Sequence, residues 1–193
     1  MSALPPEFYR RQVTRVARDL LGKVLLKDGV GGPIVEAEAY HQDEASCHGH
    51  RGRTARNRNL FGPGGTLYVY RIHRSVCANV VTGADGVAEA VLIRALLPTD
   101  GRRRVAARRR GQPERSWADG PGKVCRALAI ELGDDGASIG ARGAVQLLDR
   151  GLRFDDGEVL AGPRVGISKA TELPWRFRVR AEVLRRIRAD AAR

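Results

Sequence analysis

Apolar side chains recur with helical spacing near the start of the chain, and this pattern predicts an amphipathic helix over residues 5–21. Pro6 suits the first turn of such a helix, and Gly22 suits the position where it ends. The apolar positions at i, i+3, i+4, i+7 and i+8 are Val13, Val16, Ala17, Leu20 and Leu21.

Short runs rich in β-branched and aromatic residues, bounded by glycine and polar residues, predict strands farther along the chain. We expect the first two strands to be joined across Asp28-Gly29 and Gly31-Gly32. The segment 73–75 separates the third and fourth strands, which is typical of a β-hairpin, and the fifth strand is expected to extend the same sheet. The predicted strands cover residues 24–26, 34–40, 66–72, 76–82, 88–97, 145–148, 164–167 and 175–179.

The remaining segments predict helices and one long polar loop. Residues 41–65 have few apolar anchors, and an ordered loop of that length in a compact domain is more often functional than not. Because strands and helices do not alternate regularly, we expect a single α+β domain over residues 1–193, with an antiparallel sheet. Further helices are predicted over residues 100–110, which are strongly basic, over 124–132, opened by Gly120-Pro-Gly122, and around 181–191, with Val183, Leu184 and Ile187 facing inward.

The charge balance of the chain indicates a class of function in addition to a fold. Basic residues number 34 against 22 acidic ones, so the formal net charge is +12. Such an excess favours a polyanionic partner, because basic side chains displace counterions from phosphates. A genome rich in G and C would explain why only four of the basic residues are lysine, but it would not explain the excess itself.

Composition also bears on the compartment. No apolar run approaches the roughly 20 residues of a membrane-spanning helix, and the N-terminal segment lacks the basic start and apolar stretch of a secretory signal. The three cysteines, Cys47, Cys77 and Cys125, are odd in number and widely spaced, so they do not fit a disulfide framework. We therefore expect a cytoplasmic protein.

One predicted strand carries candidate chemistry. Side chains alternate along a strand, so Glu36, Glu38 and Tyr40 share one face, and the apolar residues between them share the other. Carboxylates are costly to bury without partners. Glu38 and Tyr40 are therefore expected to line a cleft or to face solvent, although a merely solvated sheet face would show the same pattern. Glu36 is expected to be structural and to pair with an arginine.

Three other motifs invite a functional interpretation. Tyr68 and Tyr70 share a strand face, but tyrosines on strands often serve only packing. The segment Cys47-His-Gly-His50 contains metal-ligating residue types, yet no second close pair completes a four-ligand site, so we expect no metal. The segment Gly120-Pro-Gly-Lys123 lacks the spacing of a P-loop, but a helix that begins there could hold a DNA phosphate.

Taken together, these motifs resemble the alkyladenine (3-methyladenine) DNA glycosylase family, and they occur in the family's order along nearly the whole chain. The resemblance implies a curved, mostly antiparallel sheet with flanking helices and a protruding β-hairpin that inserts into DNA. The matching segments are RDLLG (18–22), IVEAEAY (34–40), RGRTARN (51–57), LYVY (67–70), CANVV (77–81), LIRAL (92–96), GPGK (120–123) and RVGI (164–167).

The same resemblance assigns roles to individual residues. Glu38 matches the general base that deprotonates the attacking water. Arg94 matches an arginine beside that water, and Val165 matches a residue whose backbone carbonyl helps to position it. Residues matching the pocket for the flipped base are Tyr40, His48, Tyr70, the discriminating Asn79 and the apolar contact Leu92.

Two departures from the family pattern affect this assignment. Cys47 occupies the position where some members have the pocket histidine, although the register of the downstream segment Arg51-Gly-Arg-Thr favours His48. At the hairpin tip, many members present a tyrosine that wedges into the minor groove, whereas this chain has His73, followed by Arg74, and is about one residue shorter. A shallower wedge is therefore expected, in which the imidazole of His73 still stacks and Arg74 engages the opposite strand.

The predicted function is that of a monofunctional DNA glycosylase that removes alkylated or deaminated purines. No lysine lies near Glu38 in sequence, which disfavours a Schiff-base lyase; only Lys169 follows a pocket segment. We expect double-stranded DNA with damaged purines as the partner, no cofactor, and a monomer near the nucleoid of a bacterium.

Two alternatives share part of this evidence. A non-enzymatic nucleic-acid-binding module would also be basic and rich in aromatic residues, but it would not need Glu38. A hydrolase of small glycosides or nucleosides would use two opposed carboxylates and would not need the positive charge.

Overall fold

One antiparallel sheet organises the molecule. The computed structural model describes residues 2–140 and 143–190. Within them the strands follow one another in the sheet as β1-β7-β2-β3-β6-β5-β4, while β9 pairs with both β3 and β8. The sheet is open rather than closed into a barrel. The strands are β1 (Ser2–Ala3), β2 (Val24–Lys27), β3 (Val30–His41), β4 (Leu67–Ile72), β5 (Ser75–Val81), β6 (Glu89–Leu96), β7 (Val145–Asp149), β8 (Val159–Gly162) and β9 (Arg176–Val179).

Five α-helices flank the sheet in the described part of the chain. The second packs on β3 and β6, and the fourth packs on β5 and β6. The arrangement confirms the prediction of a single-domain α+β fold with an antiparallel sheet. The helices are α1 (Pro6–Tyr9), α2 (Val13–Asp19), α3 (Arg102–Arg108), α4 (Pro121–Leu128) and α5 (Ala181–Asp190).

Strand β3 connects the two halves of the sheet. Residues 30–33 pair with β2, whereas residues 34–41 pair with β6, and the register shifts around Glu36. Such a bulge bends the strand and increases its twist. On its other edge, residues 36–38 pair with β9. The central position of β3 means that any side chain on its polar face is surrounded by neighbouring strands.

The β2–β3 hairpin turns on two residues only. Asp28 and Gly29 both have positive φ, 50° and 71°, as a two-residue type I′ turn requires. The expectation that Gly31-Gly32 also belongs to the connection was wrong, because both residues lie within β3. A Cβ added at Gly31 would lie 1.9 Å from the carbonyl oxygen of Leu25, and a Cβ added at Gly32 would lie 1.9 Å from the carbonyl oxygen of Leu97. These glycines permit close backbone approach rather than a turn.

The predicted N-terminal helix is two helices. Arg10–Gln12 interrupt it, and the backbone of Gln12 is not helical, with ψ at 131°. Tyr9, at the end of α1, directs its carbonyl to the backbone amide of Gly83 at 2.8 Å instead of to the next helical turn. The apolar positions of α2 are nevertheless buried as predicted, with Val16 and Ala17 fully covered in the main core.

Three other boundaries differ from the predictions. Residues 164–167 do not form a strand, and β8 precedes them instead. Helix α4 ends at Leu128 rather than at 132, because Ala129 adopts a left-handed conformation with φ 57°. The predicted last helix is present with Val183, Leu184 and Ile187 packed on the core, and its predicted end, residue 191, lies outside the described residues.

The β4–β5 hairpin is present as predicted, with a tight tip. Ile72 pairs with Ser75, so the turn consists of His73 and Arg74, and His73 has a positive φ of 50°. Ile72 is 45% exposed at this tip. Across residues 2–140 and 143–190, no helix has both the length and the apolar character needed to cross a membrane.

Candidate active site

The central carboxylate of the site is Glu38, on the polar face of β3. Its Oε2 accepts hydrogen bonds from the Tyr40 hydroxyl at 2.9 Å and from Nη1 of Arg94 at 3.3 Å. Its Oε1 accepts one from the backbone amide of Val165 at 2.8 Å. The expectation that Glu38 lines a cleft or faces solvent was wrong, since the residue is 0% exposed. The three donors cover the carboxylate and replace the hydration that burial removes.

A second carboxylate on the same face orients the arginine. Oε1 of Glu36 accepts hydrogen bonds from Nε of Arg94 at 3.0 Å and from Nε of Arg176 at 2.6 Å. This confirms that Glu36, Glu38 and Tyr40 share one face and that Glu36 pairs with arginine. Arg94 therefore bridges two carboxylates, and its guanidinium is held in one orientation beside Glu38.

A cavity of about 690 Å³ lies next to this carboxylate, bordered by all three residues that donate to Glu38. The structure brings most of the sequence-predicted site residues together in its wall. Glu38 lies behind that wall, and His73 and Arg74 lie outside it. The predicted residues that line the cavity are Tyr40, His48, Tyr70, Asn79, Leu92, Arg94 and Val165.

The aromatic part of the wall is built from touching rings. The ring centroids of His48 and Tyr70 are 4.4 Å apart, at an interplanar angle of 68°. Nδ1 of His48 is 3.1 Å from the hydroxyl of Tyr68, whose ring centroid lies 5.5 Å from that of Tyr70. Since stacked atoms need about 3.5 Å between planes, no base fits between His48 and Tyr70. These two rings form one side of a binding slot rather than its two sides.

Burial sets the protonation of these aromatic groups. Burial lowers the pKa of His48 below its usual range, with a smaller contribution from the positive charge of Arg56. Burial also raises the pKa of Tyr68 to about 12, and it raises the pKa of Tyr40 further, with the charge of Glu38 as a second cause. At neutral pH the imidazole is therefore uncharged and both phenols keep their protons. Tyr40 acts as a hydrogen-bond donor to Glu38.

Cys47 and His48 both contact the cavity, but only His48 contributes a ring to the aromatic wall. The thiol of Cys47 is buried against the backbone, with its Sγ 3.4 Å from the amide of Gly49. Burial raises the pKa of this thiol to about 11, so it stays protonated. All three cysteines are free and buried. In the described part of the chain, no group of three or more His, Cys, Asp and Glu side chains is placed to hold a metal ion.

Asn79 and Val165 occupy their positions through backbone contacts. Nδ2 of Asn79 donates to the carbonyl of Tyr68 at 3.1 Å, which fixes the amide at the cavity wall. Val165 is 46% exposed, and its contact with Glu38 is made by the amide nitrogen. The resemblance pointed to its carbonyl, whereas the amide is what ties the 164–167 segment to the carboxylate.

The sequence reasoning missed a buried ion pair behind Tyr40. Nη1 and Nη2 of Arg164 donate to the two carboxylate oxygens of Glu44 at 2.7 and 2.9 Å, and Nη1 also donates to the carbonyl of Ala39 at 2.9 Å. The guanidinium carbon lies 4.6 Å from the Tyr40 ring centroid and 5.4 Å from that of Trp175. The only signal in the sequence was the position of Arg164 directly before Val165.

Lys169 also lines the cavity, at its exposed rim. Its backbone carbonyl accepts a hydrogen bond from the hydroxyl of Ser46. This contact joins the 164–170 segment to the 41–65 loop. The long loop therefore contributes to the cavity on both sides of His48, as its length had suggested.

Comparisons with known proteins point to one family. The sequence profile of the methylpurine-DNA glycosylase family matches residues 7–183. A protein of Rhodopseudomonas palustris (strain BisB18) is 46% identical over 180 residues, which cover 92% of this chain and 87% of that protein. A protein of Carboxydothermus hydrogenoformans is 42% identical over 179 residues, covering 90% of this chain and 93% of that protein. Both relatives carry the provisional name 3-methyladenine DNA glycosylase.

The class of protein defined by these findings is a DNA glycosylase, a hydrolase of DNA repair. The chain belongs to the methylpurine-DNA glycosylase family. The resemblance inferred from the motifs is thus confirmed.

Proposed function

We propose that this protein is a monofunctional glycosylase that flips alkylated or deaminated purines out of duplex DNA and hydrolyses their N-glycosidic bond with a water activated by Glu38. The observation that carries the proposal is the placement of Glu38. The carboxylate is fully buried, and its three donors, Tyr40, Arg94 and Val165, all border one aromatic cavity.

Base recognition follows from the shape of the wall. Since His48 and Tyr70 are in contact, the flipped base stacks on their common side and is covered by Tyr40 on its other face. Many alkylated purines are cationic, and aromatic faces attract cations. The neutral imidazole of His48 does not repel such a base. Asn79, held by the Tyr68 carbonyl, crowds the exocyclic amino group of a normal guanine.

The chemistry needs one remaining acceptor site on Glu38. An ionised carboxylate offers about four acceptor sites, and three are occupied by Tyr40, Arg94 and Val165. The fourth accepts the proton of a water whose oxygen attacks the anomeric carbon of the sugar. Because Glu38 is 0% exposed in the free protein, this water enters only when the wall in front of the carboxylate opens on DNA binding. The C–N bond breaks, and its electron pair leaves with the base. A cationic base leaves neutral, so a second carboxylic acid is unnecessary, unlike in hydrolases with paired carboxylates.

We propose duplex DNA as the partner because the net charge of +12 suits a polyanion and the β4–β5 hairpin presents exposed residues at its tip. We place the enzyme, as a monomer, in a bacterial cytoplasm, where free cysteines such as the three here stay reduced. A non-enzymatic binding module would not require the buried carboxylate.

The deciding experiment is an excision assay. Duplexes containing hypoxanthine, ethenoadenine or 3-methyladenine are incubated with the protein and analysed for strand breaks with and without alkali. Breaks that need alkali are the expected result. Tight DNA binding with no abasic sites for any lesion would favour the binding module, and turnover of free nucleosides would favour the small-molecule hydrolase. Alkali-independent breaks that vanish in Lys169→Ala would show lyase chemistry at the exposed Lys169 instead.

The hairpin tip yields a prediction about lesion choice. His73 is smaller than the tyrosine that many family members present, so we expect it to wedge weakly and to favour bases that are already loosely paired. Tyr70→Ala is expected to lower excision about 5- to 150-fold, corresponding to roughly 1–3 kcal/mol of base stacking, and His73→Ala is expected to lower it less. The measurement is single-turnover excision of one lesion opposite each of the four partner bases.

Wild-type protein should excise mispaired lesions faster than well-paired ones. If His73→Ala is the more damaging change and the partner base has no influence, the imidazole acts as a full wedge and the expectation fails. Arg74→Ala is measured alongside, because it removes a charge from the same turn without removing the ring at position 73 and so separates the contribution of the charge from that of the ring.

A further inference from the structure

The polar face of β3 belongs to a network of charges that alternate in sign. Nη1 of Arg94 lies 3.3 Å from Oε2 of Glu38, and its Nε lies 3.0 Å from Oε1 of Glu36. The same Oε1 lies 2.6 Å from Nε of Arg176, on β9. The four side chains are between 0% and 23% exposed, so solvent screens their contacts only weakly. We call Glu38, Arg94, Glu36 and Arg176 the four-charge network.

Arg94 is shared unequally between the two carboxylates. Its contact with Glu36 is shorter than its contact with Glu38, 3.0 Å against 3.3 Å, so Glu36 competes for the positive charge. Arg176 opposes this competition, because it donates to the same oxygen of Glu36 that Arg94 contacts. An oxygen that accepts two charged donors divides its attraction between them. The charge of Arg176 therefore governs how much of the Arg94 charge is left for Glu38.

Four titratable side chains in the adjoining cavity wall are neutral and do not alter this balance. Burial raises the pKa of Tyr40, Tyr70 and Cys77 above the usual ranges of phenols and thiols. Burial also lowers the pKa of His48. All four groups line the cavity and carry no charge at neutral pH.

The other charges near the central carboxylate are balanced or exposed. Arg164, behind the cavity wall, donates to both carboxylate oxygens of Glu44. His50, Arg51 and Lys169 line the cavity at exposed positions, where water and salt screen a charge. The other three members of the four-charge network are therefore the main source of the electric field at the central carboxylate.

We propose that Arg176 and Glu36 are positioning residues that act through Arg94: Glu36 draws the guanidinium away from Glu38, and Arg176 limits that pull, so that Glu38 stays ionised as the general base. The inference rests on the proposed function of Glu38. A carboxylate has to be ionised before it accepts a proton from water, and a nearby positive charge favours the ionised form. Loss of the Arg176 charge should therefore make Glu38 easier to protonate, and loss of the Glu36 charge should make it harder.

The test measures single-turnover excision against pH for Arg176→Met, Glu36→Gln and the double variant. The substrate is a duplex with 3-methyladenine, because a cationic base leaves without a general acid and the acid limb of the profile then reports the general base. The acid limb should move to higher pH in Arg176→Met and to lower pH in Glu36→Gln. Each movement should be about 0.5–1 pH unit, less than the roughly 1–3 that a charge in direct contact produces. The double variant should fall between the two.

Arg178→Met is the matched control. Arg178 lies two residues beyond Arg176 on the same face of β9, is exposed, and forms no ion pair with any carboxylate in residues 2–140 and 143–190. Its loss should leave the acid limb in place. Arg176→Lys keeps the charge and should hold the limb close to that of the wild type. Lower rates with an unmoved limb in Arg176→Met and Glu36→Gln, and the lowest rate in the double variant, would show a purely structural role and overturn the proposal.

Carbon-detected NMR of the glutamate carboxyl groups separates this inference from the proposed function, because it needs no DNA. The Glu38 signal is assigned by its loss in Glu38→Gln, and the pH at which the carboxylate takes up a proton is compared between the wild type and the two single variants. Opposite movements beside unmoved excision limbs, or beside a wild type that excises no lesion, would support the network and reject Glu38 as the general base. Movements in the same direction, or none, overturn the inference even where excision persists.

Discussion

Replacement of Glu38 by glutamine is expected to abolish base excision while leaving DNA binding nearly intact. The substitution removes the general base, a loss of about 10²–10⁴-fold or more. The structure adds a second penalty. An amide offers one acceptor oxygen, but the carboxylate it replaces accepts from Tyr40, Arg94 and Val165. In Glu38→Gln, an NH₂ group faces at least one of these donors, which leaves buried polar groups unpaired at a cost of about 1–3 kcal/mol.

The matched control is Glu36→Gln, two residues earlier on the same face of β3. Glu36 accepts hydrogen bonds from Arg94 and Arg176. Within the described chain, it accepts none from Val165 or Tyr40. Single-turnover excision, a DNA-binding titration and thermal unfolding are measured for both variants. Glu36→Gln should retain far more excision than Glu38→Gln at comparable stability. Substantial excision by Glu38→Gln would mean that another residue activates the water.

The sequence pattern predicted the parts of the site that depend on local alternation. The period of two along residues 34–40 was sufficient to place Glu36, Glu38 and Tyr40 on one face, and the short tip between two β-rich runs was sufficient to predict the β4–β5 hairpin. The contact between Val165 and Glu38 joins positions 127 residues apart, which no local pattern encodes. Only the resemblance to a family suggested it.

Burial of Glu38 was mispredicted for a physical reason. The rule that carboxylates avoid the interior holds only when no donors are available, and here Arg94 is supplied by the adjacent strand and Val165 by a distant segment. The same limit applies to the basic run 100–110. Its charge is visible in the sequence, but the packing of α3 on α4 decides that Arg109 is only 5% exposed whereas Arg103 and Arg104 are exposed.

The predicted N-terminal helix shows a different limit of prediction from sequence. Its apolar spacing continues from one helix to the next, so periodicity alone cannot reveal the break at Arg10–Gln12. The break is stabilised by one local and one tertiary hydrogen bond. Nε of Arg11 donates to the carbonyl of Phe8, three residues earlier, at 3.1 Å, and the Tyr9 carbonyl accepts from the backbone amide of Gly83 at 2.8 Å. The tertiary bond to Gly83 here overrides helix propensity.

The largest expected effect on stability comes from Arg164. Its side chain is 0% exposed, and that of Glu44 is 7% exposed, so the pair is buried on both sides. Arg164→Met fills a similar volume but leaves the carboxylate of Glu44 buried without its cation, a change that typically costs about 3–5 kcal/mol. Because folded domains have only about 5–15 kcal/mol of stability, this single substitution is expected to lower the free energy of unfolding by a large fraction.

The same substitution should impair excision in the protein that remains folded. Arg164 lies 4.6 Å from the centre of the Tyr40 ring and directly precedes Val165, so it positions one wall of the cavity and one donor to Glu38. Arg164→Lys keeps the charge but not the bidentate geometry, and an intermediate effect is expected on both properties. Excision at low temperature, where most of each variant is folded, separates this positioning role from simple unfolding.

A double-mutant cycle with Glu44→Gln tests the ion pair itself. Denaturant unfolding is measured for Arg164→Met, for Glu44→Gln and for the double variant. If the pair is the source of the stability, the double variant should be less destabilised than the sum of the two single variants, because neither buried charge is then left unpaired. Arg176→Met is the control, since its partner Glu36 keeps a second arginine in Arg94. Additive costs for Arg164 and Glu44, or an equal cost at Arg176, would show that packing rather than charge pairing holds this side of the site together.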